Sequence, residues 1–409
     1  MAITSITKGK RQGCYRVRIQ PTDPLTGKTV KIPSVVTKTK SEAIKIESKM
    51  WQDYKGGLAK KDNIIDKPLA IGLSEYVKKN RDNGRWESST YYGWTYTTRL
   101  VKEYFGRQKI CDVHQDDINN FAHYYVKKHN TTVGRNTTVD RQLRHLRSFF
   151  GRMMQYGLMV NPVPKSPLKE FFKKGDMTVP EKKYIFTKDE TKNLKHELIR
   201  KIESVPFTHW GSRLAILIAL ETGMRPQEIQ AVRWDELVND HGHIVFKIDD
   251  SWGEKNGCLN GHLKSRMRGQ SRATLSMSDD VVNILKDYHK KQVSFLKRKG
   301  IKNINNFILL NLTDYKRSAE GLPIAQRTMN DMLKQVAKQV GVNNGSLRVS
   351  MYTCRHTVAT KLGNDPKIDY RWAADRLGHT FQVFMDTYVH LDPDKDAKML
   401  DLVSESREC

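Results

Sequence analysis

Two arginines, Arg225 and Arg355, stand where the chain could bring fixed positive charge to a single phosphate. An apolar helix from Arg213 to Thr222 should end at Gly223, and Pro226 occupies a residue type favoured at a first helical position. Arg225 is therefore expected at the N-terminus of a helix running from Gln227 to Trp234. Such an end offers free backbone N–H groups and the positive end of the dipole, and a guanidinium adds a bidentate fork. In Tyr352-Thr353-Cys354-Arg355-His356 a second helix opens, with Thr353 as its cap and Gly363 as its stop, so Arg355 is expected to repeat that geometry. Two arginines placed in this way could hold both non-bridging oxygens of one phosphate and stabilise a pentacoordinate transition state. The third element is Leu377-Gly378-His379-Thr380, followed nine residues after His379 by Tyr388. On one straight helix the two would face opposite ways, but Gly378 should end the helix from Tyr370 to Leu377 and Thr380 can cap the next. They can then converge from separate segments. Each piece also has an ordinary reading: a surface arginine, a helix-ending glycine, a buried aromatic with its hydroxyl satisfied.

The elements that must position these residues read as a mostly helical domain over residues 185–403. It opens with the capping box Thr187-Lys188-Asp189-Glu190. Three short strands, His243 to Ile248, His262 to Lys264 and Arg272 to Met277, are expected to form a small antiparallel sheet inserted in it, carrying Lys264 and the arginines Arg266, Arg268 and Arg272. Upstream, Pro162, Pro164, Pro167 and Pro180 mark a linker over residues 166–184, because prolines this dense suit neither a helix nor a central strand. Residues 68–165 show a 3.6-residue period in four stretches, Leu69 to Asn80, Ser89 to Phe105, Asp116 to Lys128 and Asn136 to Tyr156, a helical bundle. Its last stretch sets Arg141, Arg144, Arg147 and Arg152 beside a core row of Leu143, Leu146, Phe149 and Phe150, which suits either a helix lying on phosphates or a solvated face.

Residues 1–60 read as a three-stranded sheet plus one helix. From Cys14 to Gln20 the side chains alternate, with Tyr15, Val17 and Ile19 on one face and Arg16, Arg18 and Gln20 on the other. Lys28 to Thr37, with Lys31, is a further strand, and a helix capped by Ser41 should stop at Gly56 and Gly57. With thirteen Lys or Arg against four acidic residues, this module suits a DNA groove, or simple packing on a neighbouring domain. The fold class is thus multidomain, mainly α with small β-sheets.

Charge points to the partner. Seventy-one Lys and Arg against 45 Asp and Glu leave a formal charge of +26, which repels itself unless a polyanion neutralises it. Five scattered cysteines form no CxxC pair, so neither a disulfide framework nor a zinc site is indicated. Residues 1–10 lack a signal-type apolar core and the run from Leu214 to Leu220 is too short to span a bilayer, which places the chain in a reducing cytoplasm, away from membranes.

The ordered set Thr222-Gly223-Met224-Arg225-Pro226-Gln227-Glu228-Ile229, then Lys264, then Arg355-His356-Thr357 with Ala359-Thr360, then Leu377-Gly378-His379 and Asp386-Thr387-Tyr388-Val389-His390 resembles the tyrosine recombinase (phage integrase) family over residues 185–391. The upstream modules look like the arm-binding and core-binding domains of temperate-phage and conjugative-transposon integrases. The resemblance implies a site-specific recombinase, encoded by a phage or mobile element, that integrates and excises DNA between attachment sites. Arg225 and Arg355 would clamp the scissile phosphate, Lys264 would protonate the leaving 5′ oxygen, His379 would bond the phosphate or take a proton, and Tyr388 would attack to give a 3′-phosphotyrosyl link. Glu228 would help place Arg225, and His356 belongs to the same motif in a supporting role. No metal or nucleotide is needed, because the covalent intermediate keeps the phosphodiester's energy.

One departure stands out: where the family usually carries His, three residues before the second arginine, this chain has Tyr352. A phenol can donate to a phosphate oxygen but titrates too high to act as a neutral-pH base, which leaves that work to His379. The implied partners are double-stranded core and arm sites and a homotetramer on DNA, with a bending host factor and an excision factor left open. Residues 395–403 would dock on a neighbouring subunit or fold back, and residues 404–409 form a tail. A type IB topoisomerase or resolvase would share the chemistry, and a catalytically silent DNA-binding regulator would share the modules.

Overall fold

The computed structural model describes residues 2–7, 11–22, 29–30, 32–60, 64–178, 183–342, 345 and 348–389. Lys28, Lys31 and the segments 395–403 and 404–409 lie outside the described residues. The chain divides into two compact units, Met1–Pro180 and Glu181–Cys409.

In the first unit, strands β1 (Ile3–Ser5), β2 (Tyr15–Val17) and β3 (Val35–Thr37) form an antiparallel sheet with β2 central, Ile3 opposite Val17 and Val17 opposite Val35. The alternation read from the sequence holds: Val17 and Ile19 are buried, whereas Arg16, Arg18 and Gln20 are exposed. Helix α1 (Lys40–Lys60) covers the buried face, with Ala43 fully enclosed, and it continues through Gly56 and Gly57 rather than stopping there. Glycine inside a helix costs only about 1 kcal/mol relative to alanine and so weakens a helix without ending it. Helices α2 (Leu69–Asp82), α3 (Ser88–Phe105), α4 (Gln115–His129) and α5 (Thr138–Met153) then enclose a core built on Leu73, Val101, Phe121, Leu143, Leu146, Phe149 and Phe150. A correction falls in the proline-rich segment, where Pro167 opens a short helix α6 (Pro167–Phe171) and Phe171 and Phe172 join the bundle's core. Proline lacks only a donor that a first-turn residue does not use.

The second unit is built around α8 (Gly211–Thr222), whose residues from Leu214 to Leu220 are all buried because the helix is apolar on every face. Against it pack α7 (Lys188–Glu203), started by the Thr187–Glu190 capping box, and α9 (Pro226–Ala231), α12 (Gln326–Gln339) and α13 (Met351–Gly363). The inserted sheet is antiparallel in the order β4 (Leu237–Asp240), β5 (His243–Ile248), β8 (Arg272–Ala273), with a separate hairpin of β6 (Trp252–Gly253) and β7 (Cys258–Leu259). Helices α10 (Asp279–Lys299) and α11 (Tyr315–Ala319) precede α12, and α14 (Tyr370–Leu377) and α15 (Phe381–Tyr388) close the fold.

The strand expected from His262 to Lys264 is a turn. The carboxylate of Asp250 takes the N–H groups of Gly261 and His262 at 2.7 and 3.1 Å, in place of a ladder partner. Gly261 and Gly269 both adopt positive φ, which folds the segment back on itself.

Candidate active site

Glu228 organises the site from below. As the third residue of α9 its carboxylate takes the N–H of Arg225, the residue capping that helix, at 2.9 Å, and Arg225 Nη1 at 2.8 Å. Arg272 Nη2 reaches the same carboxylate at 2.6 Å from β8, with both side chains shut off from water at 0% and 1% exposure. Burial alone would raise the Glu228 carboxyl, but the charges of Arg272, Arg225 and Arg355 hold it down at about 2. It is thus an anion throughout the useful pH range, and one carboxylate faces three guanidiniums. The two positive charges left over match the double negative charge that a phosphodiester reaches in a pentacoordinate transition state.

The second set of restraints comes from the end of α14. The carbonyls of its last two residues and of Gly378, which caps it, each take an arginine: Arg376 O from Arg272, Leu377 O from Arg355 Nη2 at 2.6 Å, and Gly378 O from Arg225 Nη2 at 2.6 Å. Gly378 adopts the left-handed conformation with φ +68, and a Cβ there would stand 2.7 Å from Arg272 Nε, so only glycine allows this approach. Arg355 also donates to Gly223 O at 2.8 Å, tying α13 to the turn that follows α8. Its position differs from the one expected. Ser350, rather than Thr353, caps α13, with Thr353 Oγ1 taking the Ser350 N–H at 3.0 Å, so Arg355 sits in the second turn and is 2% exposed. Burial and the neighbouring Arg225 charge lower its pKa to about 9.

Gly378 ends α14 and Thr380 caps α15 as the sequence indicates, and this brings His379 and Tyr388 face to face with ring centroids 5.2 Å apart. His379 Nε2 accepts from Arg355 Nη2 at 2.7 Å, so its lone pair there is taken and Nδ1 carries the proton. Burial, then the charges of Arg355, Arg225 and Arg272, push its pKa down to about 2, which keeps the ring neutral. Tyr388 is 4% exposed, and burial raises its phenol against the opposing pull of Arg355 and Arg225. Its hydroxyl lies 2.8 Å from Nδ1 of His356, one helical turn beyond Tyr352. Tyr352 is half-exposed, donates to Gln227 Oε1 at 3.3 Å, and stands 6.5 Å from His356 between centroids.

Arg225, Arg355, His379, Tyr388, Glu228 and His356 therefore meet in one cluster. Lys264 is exposed on its turn, and the adjacent Ser265 donates to Gly378 O at 2.8 Å, so this turn borders the site. Sequence reasoning named Arg272 only as a neighbour of Lys264. Its pairing with Glu228 spans 44 positions, and no local pattern announces it. Outside the cluster, Arg141 and Arg144 are exposed on α5, Arg144 facing Asp140 at 3.3 Å. Arg147 is instead committed inward, donating to Val163 O at 2.5 Å.

Residues 185–395 match the profile of the phage integrase family, and this stretch covers just over half of the chain and contains the whole cluster. The chain belongs to the phage integrase family. Membership carries the enzyme class that the motifs implied, a site-specific tyrosine recombinase that integrates and excises a mobile element. The ICEBs1 integrase of Bacillus subtilis (strain 168) is 20% identical over 97% of this chain and 99% of its own length. Among solved structures, the Tn1549 transposon integrase in complex with transposon right end DNA superposes with a TM-score of 0.60 at 19% identity, over 81% of this chain and 99% of that one. A lambda integrase tetramer bound to a Holliday junction superposes with a TM-score of 0.52 at 14% identity, over 96% and 97%. Among the described residues no group of three or more His, Cys, Asp or Glu side chains could hold a metal, and no helix is long and apolar enough to cross a membrane.

Proposed function

We propose that this recombinase cleaves attachment-site DNA with Tyr388 as the nucleophile. Arg225 and Arg355 take the non-bridging oxygens of the scissile phosphate, His379 adds a donor from Nδ1, and Lys264 protonates the departing 5′ oxygen. Glu228 fixes Arg225 and Arg272, so the positive charge is already in place when DNA arrives and little reorganisation is left for the reaction. The observation that carries this reading is the continuous contact from Tyr388 through His379 to Arg355, with ring centroids at 5.2 Å and a hydrogen bond of 2.7 Å. Arg16 on the exposed face of β2 and Arg18 just beyond that strand serve distant arm sites together with the segment of Lys28 and Lys31, and Arg141 and Arg144 of α5 serve the core site. Residues 1–60 thus form the arm-binding module, 68–165 the core-binding module and 185–403 the catalytic module. Four copies act on two duplexes, in the cytoplasm.

The test is trapping on a nicked suicide duplex. Wild-type chain should become covalently attached through Tyr388, and Tyr388→Phe should bind the duplex and form no adduct. A labelled phosphopeptide on any other residue refutes the assignment, and relaxation of supercoiled DNA lacking a partner site would favour a topoisomerase.

A further inference from the structure

Tyr388 must lose its phenol proton when its oxygen bonds to phosphorus, and His379, Tyr352 and His356 come into question as its acceptor. His379 is oriented for something else, since Arg355 occupies its Nε2 at 2.7 Å and its other ring nitrogen carries the proton. Tyr352, at the position where the family usually has His, turns its hydroxyl to Gln227 at 3.3 Å and is too weak a base. His356 remains, with Nδ1 2.8 Å from the Tyr388 hydroxyl.

We propose that His356 is the general base of the cleavage step, taking over the proton-accepting work that Tyr352 cannot do. This rests on the reading of Tyr388 as the nucleophile. As the Tyr388 oxygen forms its bond to phosphorus, its proton moves to His356 Nδ1, the bond from phosphorus to the 5′ oxygen breaks, and that oxygen takes a proton from Lys264. Rejoining runs the same transfers backwards, with the His356 imidazolium returning its proton to the tyrosine oxygen. The groups facing His356 are Tyr388 from α15, Tyr352 and Arg355 on its own helix, and Lys183 ahead of α7. Burial and the charges of Lys183 and Arg355 lower its pKa to about 4, so at neutral pH the ring is uncharged and has a lone pair to offer. An entering phosphate brings negative charge that favours the imidazolium, and the phenol proton becomes far more acidic once its oxygen is bonded to phosphorus.

The experiment measures single-turnover adduct formation by the full-length chain on a nicked suicide duplex that the wild-type chain cleaves, beside a duplex with sulfur in place of the bridging 5′ oxygen. A thiolate leaves without a proton, so Lys264→Ala should recover on sulfur. His356→Ala should be slower by roughly 10²–10⁴-fold on both duplexes, the usual contribution of a positioned base. His356→Asn places an amide oxygen close to where Nδ1 stands but has no basicity, and it should be as slow as the alanine variant with DNA binding kept. Adduct formation by His356→Ala at the wild-type rate, recovery of that variant on sulfur, or full activity in His356→Asn would each overturn the assignment. A wild-type adduct that maps to a residue other than Tyr388 would overturn the nucleophile reading itself.

Discussion

Glu228→Gln keeps the shape of the side chain while removing the carboxylate that faces three arginines. In the native chain the carboxylate accepts from Arg225 N, Arg225 Nη1 and Arg272 Nη2 at 2.9, 2.8 and 2.6 Å. An amide would keep one acceptor oxygen and turn its NH2 group toward a guanidinium that can only donate. Arg272, with a fully buried side chain, would then hold an uncompensated charge beside Arg225 and Arg355. Removing one member of a buried pair costs about 3–5 kcal/mol, a large part of the roughly 5–15 kcal/mol that holds a domain together. The assay is urea denaturation of the full-length chain, followed by hydrogen exchange of peptides from residues 183–389, because two compact units need not unfold together. Stability of those peptides should fall by about 3 kcal/mol or more. The double variant Glu228→Gln with Arg272→Met should regain most of that loss, since the stranded charge leaves with its partner. A change below about 1 kcal/mol in the single variant, or no recovery in the double, would refute the view that this carboxylate neutralises the cluster.

Three further outcomes are expected. In Gly363→Ala the new Cβ would stand 2.5 Å from the backbone oxygen of Tyr388, so α13 and α15 must part; a shift near 1 Å should slow adduct formation by roughly 10²-fold, while DNA affinity in a mobility shift stays near the wild-type value. His145, His356 and His379 have pKa values lowered by burial and by arginine or lysine charge to about 4, 4 and 2. The unfolded chain therefore binds protons below about pH 6.5 that the folded chain declines until about pH 4, so stability is lost as pH falls through that window, and the urea midpoint at pH 5 should lie below that at pH 7.5. Equal or higher midpoints at pH 5 would contradict it. Arg16→Ala with Arg18→Ala should weaken binding to arm-site DNA and reduce the slope of log affinity against log salt by about 0.9 for each lost phosphate contact, read by titrations at several salt concentrations.

What the sequence disclosed about the fold follows from the reach of each physical signal. Gly223, Pro226, Gly378, Thr380 and the Thr187–Glu190 box act on neighbours within about four residues, and each ends or starts a helix where the sequence placed it. The cap of α13 shows how fine the margin is: Ser350 and Thr353 are both capping types, and a cap at Thr353 would set Arg355 at the helix end, whereas the cap at Ser350 sets it in the second turn. The turn at Lys264 reads as a strand from local sequence because its decisive partner, Asp250, lies 11 and 12 residues upstream of the N–H groups it takes. Within the site, the order of motifs along the chain already groups Arg225, Arg355, His379 and Tyr388. The contacts of Arg272 with Glu228 and of His356 with Tyr388 cross 44 and 32 positions, and tertiary packing alone creates them.

The three successive carbonyls that close α14 work as a gauge for charge spacing. Because Arg376, Leu377 and Gly378 each seat a different guanidinium, the distances among those cations are copied from the last turn of a helix and its left-handed cap. Lengthening or shortening α14 by one residue would turn all three seats by about 100° at once. The length of this eight-residue helix is thus set by the charges seated at its end.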